Sequence, residues 1–128
     1  MTDLLITLQG PPRTKKNSQR ILVNSATRRP FVKPSEAYEE YERDCLWQIP
    51  SGMKIQISEP VNLECVYYMP TRRKVDLVNL IEATLDILVR AGVLQDDNSC
   101  IAASYDGSRV LYDKDRPRAE IKISAKSS

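Results

Sequence analysis

The chain has 128 residues, 41% hydrophobic and 28% charged, with a formal net charge of +2; this predicts one folded domain over residues 1–128 rather than disorder. No apolar run approaches the ~18 residues of a membrane span, and the opening MTDLLITLQG lacks a basic start, so neither a membrane partner nor a secretion signal is expected and a cytoplasmic location is. Three cysteines without C-x-x-C spacing and the absence of histidine exclude a disulfide framework, a zinc ribbon and His-based catalysis, leaving carboxylates with a hard cation such as Mg²⁺ for any hydrolytic chemistry.

In chain order, Leu4, Ile6 and Leu8 alternate with Leu5, Thr7 and Gln9, predicting a strand over residues 3–9. Gly10-Pro11-Pro12 stops it, and Arg13 to Ser18 has loop composition. Residues 20–23 and 30–33 read as two short strands around a turn. Ser35 is placed to cap a helix to about Ile49, with Tyr38, Tyr41, Cys45 and Ile49 as its buried stripe. Leu46 and Trp47 on the same helix are assigned to the core, with a dimer surface as the alternative. Leu63, Cys65, Tyr67 and Met69 alternate in a strand over 61–69.

Asp76 is expected to cap a second helix to Arg90 or Ala91, ended by Gly92. Advancing 100° per residue, Asn79, Glu82, Asp86 and Arg90 fall within about 80° of one another. The remaining positions are nearly all apolar, so this narrow polar stripe is expected to face a cleft or a thin strip of solvent. Asp96-Asp97-Asn98 reads as a turn. Segments 100–105 and 109–113 flank Asp106-Gly107, a hairpin signal. Ala119, Ile121 and Ile123 mark a last strand. Strands and two helices without regular βαβ alternation predict an α+β fold with a mixed sheet.

Charge is arranged in blocks. Residues 10–33 carry seven cations (Arg13, Lys15, Lys16, Arg20, Arg28, Arg29 and Lys33) and no acid. Residues 35–49 and 76–97 each carry a net charge of −4. The junction Arg72-Arg73-Lys74-Val75-Asp76 sets cations to hold phosphates beside an acid able to hold a metal, the pairing that phosphodiester chemistry requires. Spacing alone leaves plainer roles open: Asp76 as a helix cap, Glu82, Asp86 and Arg90 as i, i+4 surface pairs, and Asp96-Asp97 as turn residues.

Val75-Asp76-Leu77-Val78-Asn79-Leu80, then Leu85-Asp86-Ile87-Leu88, Gly92 and Asp96-Asp97-Asn98-Ser99, resemble the RusA-type Holliday-junction resolvases, small endonucleases common in bacteriophages and prophages. Gly10-Pro11-Pro12 with Lys15-Lys16-Asn17-Ser18 looks like that family's opening, and Pro117 to Ile123 like its final strand. The resemblance implies a single RusA-like domain. It also implies a homodimer that binds branched DNA and resolves four-way junctions by paired symmetric nicks, in recombination and repair, with Mg²⁺ or Mn²⁺.

The family's motif D-x-D-N-L-x-K and later acid pair match at Asp76, Asn79, Leu80 and Asp97. The motif's second acid is Val78 here and its lysine is Glu82. The longer Glu82 side chain, one turn on, is placed to compensate. The expected catalytic set is therefore Asp76, Asp97 and Glu82, with Asp96 and Asp86 as further metal ligands. Lys15, Lys16, Asn17, Arg72, Arg73 and Lys74 are the expected DNA contacts. The alternative is a protein of the same fold that binds junctions with little or no cutting.

Overall fold

A computed structural model describes residues 3–15 and 19–126. Seven strands and two helices follow in the order β1 (Leu4–Gln9), β2 (Gln19–Val23), β3 (Pro30–Pro34), α1 (Glu36–Gln48), β4 (Val61–Met69), α2 (Leu77–Arg90), β5 (Ala102–Ser104), β6 (Arg109–Tyr112) and β7 (Arg118–Ala125). β2 and β3 form a two-stranded antiparallel ribbon. The other strands make one mixed sheet in which β7 lies antiparallel between β1 and β4. The expected α+β class is the observed one.

The two-residue period of each long strand decides which face is covered. Ile6 and Leu8 of β1, Leu63, Cys65 and Tyr67 of β4, and Ala119, Ile121 and Ile123 of β7 are buried. They form one core cluster with Tyr38, Tyr41 and Cys45 of α1 and Leu80, Ile81, Ile87 and Leu88 of α2. The buried stripe expected on α1, Ile49 included, is thus observed. Each buried Leu or Ile contributes about 1.5–3 kcal/mol relative to exposure. Inside the core, the Tyr67 hydroxyl meets Thr84 Oγ1 at 2.7 Å, and that threonine donates to Leu80 O at 2.9 Å, so neither hydroxyl is left unsatisfied.

Both helices start on the predicted caps. Ser35 Oγ accepts from Tyr38 N at 3.1 Å, and Asp76 Oδ1 accepts from Val78 N at 3.0 Å. α2 ends where Gly92 takes a positive φ of 78° and donates to Val89 O. The chain then folds back. Ile57 N bonds Val93 O and Gln95 N bonds Ile57 O, while Val93 and Leu94 are fully buried. This anchor delivers Asp96 and Asp97 to the surface at a fixed place.

Two expectations are corrected. The segments flanking Asp106-Gly107 do not pair with one another. β5 and β6 lie in tandem, both parallel to the same edge of β4. From Ala102 to Arg109 this edge advances seven residues while β4 advances five, from Val61 to Val66. One extra residue is Ala103, where the register shifts between Val61 and Asn62, and the other falls in the bulged turn Tyr105–Ser108 that holds Asp106-Gly107, closed by Ser108 N to Tyr105 O at 3.1 Å. It is tied to β4: Asn62 Oδ1 accepts from Asp106 N and Ser104 Oγ, and Ser108 Oγ donates to Leu63 O and accepts from Cys65 N. Trp47 is 91% exposed rather than in the core, because α1 turns its Tyr38–Tyr41–Cys45 stripe inward.

Candidate functional site

The segment after β1 is held at both ends. Gly10 N bonds Pro117 O at 3.0 Å with φ at 109°, a left-handed conformation that glycine adopts without steric cost. Gln9 and Gln48 exchange two bonds, N to Oε1 at 2.6 Å and Nε2 to O at 3.1 Å, tying the end of α1 to the end of β1. Pro12 and Thr14 are buried. Lys15 then reaches α2, where its ammonium lies 2.5 Å from Asp86 Oδ2. The same ammonium sits 5.8 Å from the centre of the Tyr38 ring.

This packing brings two basic segments, about sixty residues apart in sequence, to one depression. Pro12 and Arg13 line one side of it, and Met69, Arg73, Lys74 and Val75 the other, around a volume of about 390 Å³. The next residue, Asp76, caps α2. Among the described residues, no ion pair engages Arg13, Arg73 or Lys74. Arg72 turns aside and stacks over the Tyr112 ring at 4.2 Å.

The polar stripe of α2 is as spacing predicted. Asn79 and Asp86 are half-buried, while Glu82 and Arg90 are exposed. Arg90 pairs with Glu42 of α1. The Tyr38 hydroxyl, buried beneath the same strip, approaches the Glu42 carboxylate without completing a hydrogen bond among the described residues. Its pKa is raised by burial and then by the charges of Glu42 and Asp86.

Beyond the helix, Asp96 Oδ1 accepts from Asp97 N at 2.7 Å, and Asp96 Oδ2 accepts from Asn98 Nδ2 at 3.1 Å. These bonds hold the Asp96 carboxyl below the ordinary carboxylate range. Asp97 is pushed the other way by desolvation, then by its hydrogen bond and charge interaction with Asp96, with Asp86 adding negative charge. Asp86, Asp96 and Asp97 therefore share one electrostatic neighbourhood. Asp76 and Glu82 sit nearer the start of the same helix, at its cap and second turn. Among the described residues, no three Asp, Glu, His or Cys side chains group tightly enough to hold a metal ion. Val78, in the first turn of α2, is 69% exposed.

Of the expected DNA contacts, Arg73 and Lys74 line the cleft, Arg72 stacks on Tyr112, and Lys15 is paired with Asp86. Lys16 and Asn17 lie outside the described residues. Arg13 was not singled out by its sequence context. Its only signal there is membership of the acid-free block that also holds Lys15. No described helix is long and apolar enough to cross a membrane.

No curated protein sequence matches the chain. A family model, that of endodeoxyribonuclease RusA, matches residues 9–124. The match runs from the end of β1 to the last residues of β7 and takes in the basic cleft, the capped helix and the Asp96-Asp97 turn. The chain belongs to the RusA endodeoxyribonuclease family.

Proposed function

We propose that this protein is a metal-dependent endodeoxyribonuclease that resolves four-way DNA junctions as a homodimer, by paired symmetric nicks. The observation that carries the reading is the meeting of two basic segments in one cleft immediately before Asp76. Phosphates are drawn to Arg13, Arg73 and Lys74, which supply affinity and register rather than base readout. A strand so held passes the start of the acid-bearing helix. Two copies suit a junction because its near two-fold symmetry presents two equivalent phosphates.

The donor set suits a hard divalent cation. Every candidate ligand is a carboxylate oxygen, histidine is absent from the chain, and Asp97 carries a raised pKa beside other acids. Asp76, Asp97 and Glu82 would hold the ion, with Asp96 and Asp86 beside them; Mg²⁺ keeps several waters, so few protein ligands suffice. The chemistry such an ion would supply there is a more acidic bound water and compensation of charge on the departing oxygen. Lys15 holds Asp86 in place, and the Asp96 turn orients Asp97.

A synthetic four-way junction with Mg²⁺ or Mn²⁺ tests the reading. Paired nicks are expected, and Asp76→Asn or Asp97→Asn abolishes them while binding persists. A second reading is favoured by exposed Val78 in place of an acid and by the lack of a three-ligand group among the described residues. In that reading the protein binds junctions without cutting them. Tight binding with no nicks, and cutting gained by Val78→Asp with Glu82→Lys, would establish it over the first.

A further inference from the structure

We infer that the cleft between the segment after β1 and the segment before α2 seats one unpaired deoxynucleotide at the branch point, not a phosphate ridge of intact duplex. This inference rests on the reading of the protein as a junction-binding nuclease and gives that reading its local substrate.

The cations and the apolar surface divide the cleft between them. Arg13 on one wall and Arg73 and Lys74 on the other are exposed and, among the described residues, unpaired. Pro12, Met69 and Val75 are buried or half-buried between them. Proline has no N–H to offer, so its wall presents hydrocarbon rather than hydrogen bonds. Thr14 and Thr71 complete the lining, and phosphates are drawn to the cations. Between two successive phosphates of one strand lie a sugar and a base. In a duplex that base points at its partner and cannot enter a side pocket. An unpaired nucleotide can, with its phosphates on the arginines and its flat face on proline, methionine and valine. The volume of about 390 Å³ falls within the range of small-ligand sites.

The chemistry also selects where on DNA this occurs. Taking a base out of a stack costs least where stacking is already interrupted, as at a branch. Packing against a base face tolerates any sequence, because every base has one. The cleft therefore reads branching rather than sequence.

The test uses the full chain in chelator, so that nothing is cut, with a four-way junction carrying 2-aminopurine at the branch nucleotide and a second carrying it within an arm. Wild-type protein is expected to raise emission at the branch severalfold and to leave the arm unchanged. Arg13→Ala with Arg73→Ala, both at exposed positions, loses that rise at saturating protein. The double variant also lowers the slope of log K on log salt by about 1.4, two contacts at ~0.7 each for a single strand. Tight junction binding by wild type with no rise at the branch overturns the inference and leaves the junction reading standing. An undiminished rise in the saturated double variant overturns it too, by placing the base elsewhere. Failure of wild type to bind the junction at all overturns both.

Discussion

Lys15 separates a phosphate contact from a structural cation, and its variant has a computable outcome. Its ammonium lies 2.5 Å from Asp86 Oδ2, with about a third of each side chain exposed, at 35% and 32%. Full Coulomb attraction is not realised at that exposure; partly exposed pairs contribute about 0.5–1 kcal/mol. Lys15→Met keeps most of the stem against Tyr38 and removes only the charge. For a chain of this length, the melting temperature is expected to fall by about 2–4 °C at low salt. The loss shrinks in ~0.5 M salt, where such pairs are screened. A double-mutant cycle with Asp86→Asn should return the same 0.5–1 kcal/mol as coupling. Junction binding by fluorescence anisotropy in chelator supplies the other half. One phosphate contact carries a log–log slope of about 0.9, or about 3.5-fold in affinity between 50 and 200 mM salt. Arg73→Ala is expected to lose about 0.7, the single-strand value for the cleft, and Lys15→Met to keep the wild-type slope. Zero coupling with Asp86, together with a full 0.9 drop in slope for Lys15→Met, would show that the lysine leaves α2 to hold DNA and refute the argument.

The remaining predictions concern titration, the bulge and the thiols. Asp97 has a raised pKa in the fold, so over the carboxylate range the native state holds more protons than the unfolded chain, and stability falls as pH rises. Asp97→Asn removes that loss and should gain on wild type from about pH 3 to about pH 6 in thermal melts. Asp96 is lowered, so its stabilisation is present above the unfolded pKa and lost as pH falls through the folded one; Asp96→Asn should show the opposite trend. Gly107 has φ of 87°, and a Cβ there would lie 2.9 Å from Glu64 Cδ; Gly107→Ala is expected to cost about 1–2 kcal/mol in urea unfolding. Cys45 and Cys65 are buried and their thiols pushed up to about 11, chiefly by burial, whereas Cys100 is exposed. Titration with a disulfide reagent near neutral pH should find one fast thiol per chain, assigned to Cys100 by its loss in Cys100→Ser.

Periodicity and capping make both helices legible in the sequence, because each signal is local. Ser35 and Asp76 bond amides two or three residues on, and Tyr38, Tyr41, Cys45 and Ile49 share a helix face by rotation alone. The Asp106-Gly107 signal misled for an equally physical reason. It encodes a positive φ, which a hairpin turn and an edge bulge both use. What chose the bulge was Asn62 of β4 accepting from Asp106 N, and Ser108 donating to Leu63 O of the same strand, contacts more than 40 residues distant. The Lys15–Asp86 pair spans 71 residues and was equally out of reach. A charge block can announce cations but not which of them α2 will take.

The arrangement along α2 bears on Val78 and Glu82, which the sequence reading takes as departures from the family motif. Val78 lies in the first turn and is exposed, so an acid there would add no burial cost. Glu82 adds a carboxylate one turn further on, toward Asp86 and the Asp96-Asp97 turn. The pair of changes moves negative charge down the helix, away from the basic cleft and toward the acids that already raise the Asp97 pKa. If the site cuts DNA, that displacement sets the demand for a cation nearer Asp86 than the motif alone would place it. Glu82→Gln should then weaken metal-dependent stabilisation of the fold, read as the Mg²⁺-induced shift in melting temperature, more than Val78→Asp strengthens it. A larger gain from Val78→Asp than loss from Glu82→Gln would place the ion at the helix cap instead.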